Sequence, residues 1–233
     1  PEGKMKPVIK VTIALGLIGL SLAGCGSLLP KPTPSSSKIF VLFSPLQAAE
    51  RKDLDRPGQI SLGVGPVRLP GYLDRREIVI RVAQNRFDLS DNDRWAEPLD
   101  ENFTRVLAQN LSVLLGSDRI ITYPWPLDKR PRYRVQIDVF RFEVNSAGEA
   151  ELTARWAVVD ETGKQAPNLN ESRLARPAKE KSNDASVAAL SETVADLSRE
   201  IAKAVIAIDQ QREPESRSPS GGKGSGKKIS QSK

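Results

Sequence analysis

Histidine is absent from the 233 residues, cysteine and methionine occur once each, and aromatic side chains make up only 5%. Without histidine there is no Ser-His-Asp triad, no imidazole general base and no histidine-ligated zinc. A lone cysteine closes no intrachain disulfide, so the fold must be held by its apolar core. Nucleotide-binding loops are missing too. The glycine-rich "GVGPV" of Gly63–Val67 is not followed by the Gly-Lys-Ser/Thr of a P-loop and does not complete the dinucleotide fingerprint, so its glycines read as conformational. The acidic stretch "DLSDNDRWAEPLDE", Asp88–Glu101, lacks the central glycine and closing glutamate of an EF-hand loop. It reads as a solvated turn ahead of a helix. A pair of carboxylates converging in space is the one catalytic arrangement this composition leaves open. The expectation is a protein that is not an enzyme and carries no metal or cofactor.

A net charge of +6 is of the sign a nucleic-acid partner would need, but it is unevenly spread. Residues 38–211 hold 25 basic and 26 acidic groups and are almost neutral. The excess lies in the first 24 residues and in the last 22, which end in "SPSGGKGSGKKISQSK". A neutral body lacks the electrostatic footprint of a nucleic-acid binder. The tail, residues 212–233, has the low-complexity composition of a disordered segment.

The single cysteine has a distinctive setting. Lys6 and Lys10 precede an apolar run from Val11 to Leu22. That run is short against the roughly 20 residues of a spanning helix and matches the layout of a secretory signal peptide. Leu22-Ala23-Gly24-Cys25 then resembles the bacterial lipobox, in which a diacylglycerol is attached to the thiol before cleavage. Cys25 is therefore the expected lipid-attachment residue and mature N-terminus. Residues 1–24 form the signal peptide, with residues 1–4 upstream of a start at Met5. Gly26, in place of the aspartate that favours retention in the inner membrane, directs the anchor to the outer membrane. Residues 25–37, rich in Pro and Ser, form an extended spacer. About 175 residues remain for one domain.

Within that domain, residues 38–211, the pattern alternates between the two main periods. "KIFVLF" (38–43), "QISLGVGPVRL" (59–69, with Pro66 marking an edge or a bend) and "EIVIRV" (77–82) read as strands. Leu99, Phe103, Val106, Leu107, Leu111, Leu114 and Leu115 lie on one helical face, with Pro98 before it and Gly116 after it. Residues 119–123 and 133–144 read as strands, the latter strictly alternating. A turn at Ser146–Gly148 folds 150–160 back as a hairpin, and 170–176 returns as another strand. From 184 to 210 the stripe Val187, Leu190, Val194, Leu197, Ile201, Val205 and Ile208 predicts a long amphipathic helix burying itself on the sheet. The expected class is α/β, a mixed β-sheet covered by two long amphipathic helices.

One segment fits neither a strand nor a simple turn. Pro70-Gly71-Tyr72-Leu73-Asp74-Arg75 links two strands and would display Tyr72, Leu73, Asp74 and Arg75. It can be read as a packed connection or as a contact surface, since Tyr and Arg are favoured interface anchors. "VGPVRLPGYLDRREIV" (64–79) and "RWAEPLDENFTRVLAQNL" (94–111), together with the lipobox, resemble the PqiC (YmbA) family of ABC-type transport auxiliary lipoproteins. The resemblance runs from Cys25 to about Asp209 and is most specific at Pro70, Tyr72, Leu73, Asp74 and Arg75, followed by Arg94, Trp95, Glu97 and Pro98. Of these, Pro70, Tyr72, Leu73, Asp74, Arg75, Arg94 and Trp95 are the expected interaction residues. It implies an outer-membrane lipoprotein facing the periplasm, working beside an inner-membrane-anchored MCE-domain protein that channels lipid. It also implies a non-catalytic docking role that supports envelope integrity, and a ring-like homo-oligomer. The competing reading is a regulator of a cell-wall synthase or a stand-alone envelope stabiliser.

Overall fold

The computed structural model describes residues 37–47, 60–126, 128–162 and 169–216, the last five without their side chains. Residues 1–36, which include Cys25, and residues 217–233 lie outside this set. The order of elements is β1 (Ile39–Phe40), β2 (Leu62–Arg68), β3 (Glu77–Ala83), β4 (Arg86–Trp95), α1 (Leu99–Leu115), β5 (Ile120–Thr122), β6 (Tyr133–Asn145), β7 (Glu149–Asp160), β8 (Asn170–Pro177) and α2 (Asn183–Ser216). The class is the expected α/β. Eight strands form one mixed sheet, and the two helices cover one of its faces.

The long strand β6 organises the sheet. One edge carries the antiparallel pair β7 and β8. The other edge is shared by two strands in succession. β2 runs parallel to Tyr133–Asp138, and β3 takes over parallel to Val144–Asn145. β5 flanks β2, while β4 and then β1 flank β3. The sheet therefore forks, and the chain between β2 and β3 sits at the fork.

Burial explains why the helices form here. On α1 the side chains of Leu99, Phe103, Val106, Leu107, Leu111 and Leu115 are at most 4% exposed. Asp100 and Glu101 occupy the positive end of the helix dipole, and Gly116 closes it in the left-handed conformation at φ 55°. On α2, Val187, Leu190, Val194, Leu197, Ile201 and Val205 face the sheet and are likewise almost fully buried. Each such side chain stabilises the fold by roughly 1.5–3 kcal/mol. α2 continues to Ser216, past the end read from its stripe.

Three details differ from the sequence reading. First, only Ile39 and Phe40 of 38–43 pair in the sheet. The chain then leaves β4 and is held across the helices by buried polar groups. The Leu42 amide donates to Asn102 Oδ1 at 2.7 Å, and the Phe43 amide to Ser191 Oγ at 3.3 Å. Second, Pro66 marks a bend and not an edge, because β2 lies between β6 and β5 and its register shifts between Val64 and Val67. Third, the acidic stretch after Arg86 is strand β4, paired antiparallel to β3 and parallel to β1. A bulge in β6 after Val139 also shifts its alternation. Phe140 stays outward at 52% exposure, and beyond the bulge the core positions pass to Phe142 and Val144.

Candidate functional site

At the fork, Pro70 leads into a single 3-10 turn, Gly71–Leu73. The Leu73 amide donates to the Pro70 carbonyl at 2.9 Å, the Asp74 amide to the Gly71 carbonyl at 3.2 Å, and the Arg75 amide to the Leu73 carbonyl at 2.8 Å. So tight a turn sends neighbouring side chains in different directions. Leu73 enters the core at 3% exposure, while Gly71, Asp74 and Arg75 face outward.

Tyr72 folds inward onto the sheet face that the helices leave uncovered. Its hydroxyl donates to Glu143 Oε2 at 2.6 Å, and its ring stacks on Phe87 with centroids 4.6 Å apart and planes 17° from parallel. Glu143 is only 1% exposed, and its carboxylate is otherwise satisfied by Arg81 Nε at 2.7 Å and the Phe142 amide at 2.9 Å. The Arg81 guanidinium lies 4.3 Å from the Phe87 ring centre, so cation, ring and phenol form one layered unit. Burial, reinforced by the Glu143 carboxylate at its hydroxyl, pushes the Tyr72 phenol well above the ordinary tyrosine range. Tyr72 is therefore a permanent donor inside the domain.

The second segment meets the first directly. Glu77 and Arg94 are cross-strand partners in β3 and β4, and the Trp95 amide donates to the Arg76 carbonyl at 2.7 Å. Arg94 gathers three backbone carbonyls of its own strand, those of Ser90 (2.8 Å), Asp93 (3.0 Å) and Asp91 (2.8 Å), and so fixes the end of β4. Trp95 is 6% exposed and belongs to the core. Of the residues singled out from sequence, the structure joins Pro70, Tyr72, Leu73, Asp74, Arg75, Arg94 and Trp95 into one corner. Only Asp74 and Arg75 among them are exposed. Cys25 lies outside the described residues.

A cleft of about 420 Å³ runs beside this corner, between the turn and the start of α1, with Arg68, Pro70, Asp74 and Asp100 on its rim. It adjoins a second cleft of about 510 Å³ bordered by Glu97, Glu101, Arg105 and Tyr123. Among the described residues no cluster of acidic, His or Cys side chains could hold a metal ion, and no helix is long and apolar enough to cross a membrane. The partners of Tyr72, namely Glu143, Arg81 and Phe87, could not be found from sequence. Glu143 in particular falls on the face of Tyr133 and Val139 by strict alternation, and only the bulge after Val139 changes that.

Fold and corner together define a compact α/β domain with a self-covered core and a charged turn presented beside a shallow cleft. The model of the ABC-type transport auxiliary lipoprotein component family matches residues 40–202, and the chain belongs to that family. Its fold is similar to that of protein XCC0632 from Xanthomonas campestris, at 16% identity and a TM-score of 0.60, covering 75% of this chain and 98% of that one. A crystal structure of an uncharacterized protein is similar at 20% identity and a TM-score of 0.58, covering 73% and 99%. These identities establish the fold alone. No curated protein matches the chain.

Proposed function

We propose that the protein is an outer-membrane-anchored periplasmic lipoprotein that serves, without catalysis, as a docking component of an MCE-type intermembrane lipid transport system supporting envelope integrity. Cys25 carries the lipid anchor, residues 25–37 give reach, and residues 38–211 receive the partner. Membership of an auxiliary transport lipoprotein family supports the transport assignment. The observation that carries the docking reading is the fate of the 70–75 segment. Tyr72 and Leu73 are committed inward, yet Asp74 and Arg75 stand free of the core on a hydrogen-bonded turn beside a cleft. A rigid, charged turn loses little conformational entropy on binding.

Co-purification from the native envelope tests this reading. The lipoprotein should bring down an MCE-domain protein. Recovery of a penicillin-binding protein instead would reassign it to cell-wall synthesis.

A further inference from the structure

Between β5 and β6, Tyr123, Trp125 and Pro131 lie on the uncovered sheet face over bare glycine. A Cβ on Gly63 would sit 2.8 Å from both Pro131 and the Trp125 ring, and one on Gly65 would sit 2.9 Å from Tyr123 Cβ. Trp125 is thus seated on its underside, edge-on to Tyr123 at 5.2 Å, and remains partly open above. Beside it is a cavity of about 420 Å³ lined by Trp125, Lys129, Arg130, Pro131, Arg134 and Glu161. Three cationic side chains and one carboxylate border it.

Arg134 is the informative member. Its Nη2 donates to the Asp160 carbonyl at 3.1 Å, but its Nε is buried with no hydrogen-bond partner. A buried guanidinium N–H without an acceptor is unfavourable and is relieved when an acceptor arrives. Arg132, the last loop residue before β6, already has its carboxylate in Asp209 at 3.2 Å. The unpartnered Nε therefore belongs to a residue that lines the cavity.

We infer that this cavity binds the phosphate of an anionic lipid headgroup. An arginine fork and two further cations supply charge-assisted bonds to phosphate oxygens. Trp125 and Pro131 supply an apolar wall for the glycerol carbons, which a bare inorganic anion would not use. Exposed Tyr123, Pro124 and Pro126 extend this apolar rim, so aromatic and basic groups lie side by side as they do where proteins meet a lipid surface. The inference is independent of the proposed MCE partner.

The test uses the full-length chain in a non-ionic detergent, titrated with glycerol phosphate as the headgroup probe and followed by tryptophan fluorescence. Trp125→Phe assigns the signal, since Trp95 and Trp156 are core residues. Saturable binding is expected, at least tenfold tighter than that of inorganic phosphate. The exposed double substitution Lys129→Gln/Arg130→Gln should weaken it at least tenfold without moving the melting temperature. Arg134→Lys, which keeps the charge but not the fork, should weaken it as well. If Arg134→Lys fails to fold, the exposed pair decides alone. Equal binding of inorganic phosphate would overturn the lipid assignment in favour of a free-anion site. Equal competition by a polyglutamate peptide would overturn it in favour of an acidic protein partner. Unchanged binding in the double variant would remove the site altogether.

Discussion

Tyr72, Asp74 and Arg75 lie within one turn, yet the physical consequences of changing them are opposite. Tyr72→Phe keeps the ring on Phe87 but withdraws the donor from a buried carboxylate. Hydrogen bonds to charged groups are worth about 1.5–3 kcal/mol, so the melting temperature should fall by several degrees in thermal unfolding. Ala at Asp74 and Arg75 together should change stability by no more than about 0.5 kcal/mol, because neither side chain is buried. Alkaline titration gives a second readout for Tyr72. Its folded-state pKa is raised, so its contribution to stability is complete below the ordinary tyrosine value near ~10 and is lost as pH rises through the folded value. Phenolate absorbance of the wild type should include a late-titrating fraction that Tyr72→Phe reduces. No change in that fraction would mean that the hydroxyl is open to water.

At the scale of elements, what the sequence disclosed depended on whether local periodicity and tertiary context agreed. The helix stripes from Leu99 to Leu115 and from Val187 to Val205 are regular, and both are buried as their spacing implies. Strand β4 was not legible. Asp91, Asn92 and Asp93 disfavour strands, and they lie where the register against β3 shifts, between the pairs Val79–Leu89 and Glu77–Arg94, with Arg94 gathering the Asp91 and Asp93 carbonyls. Likewise nothing local announces the β6 bulge that turns Phe142 and Val144 into the core. Of the glycines of "GVGPV", Gly65 bears out the conformational reading, whereas Gly63 is needed for room. They make room for Trp125, Pro131 and Tyr123, and Gly65 also holds φ at +113°. Gly63→Ala should therefore destabilise the domain by about 1–3 kcal/mol through overpacking, measurable by urea unfolding. Gly71→Ala, whose Cβ would meet nothing within 4 Å, should be close to neutral. Equal effects of the two substitutions would contradict this account of the loop seat. The basic cavity beside that seat also escaped the sequence reading, because summing charge over residues 38–211 conceals a local cluster around Arg134.

For the whole molecule, family and fold class were legible because two unusual segments, 64–79 and 94–111, proved to be neighbours at the fork of the sheet. What sequence could not separate was display from packing within them, since that depends on Glu143, some 70 residues downstream of Tyr72. The proposed anchor makes its own prediction. Cys25→Ala should leave a folded domain but shift the protein out of the outer-membrane fraction on density-gradient fractionation. Persistence in that fraction after a high-salt wash would show attachment by other means. Docking through the exposed turn is the central claim, and the affinity of purified lipoprotein for its MCE-domain partner tests it most directly. The wild type should be compared with Asp74→Ala/Arg75→Ala, with melting temperatures taken on the same samples. The account predicts at least a tenfold loss of affinity, as expected when hot-spot side chains are truncated, with the melting temperature unchanged. Wild-type affinity in the double variant would contradict it.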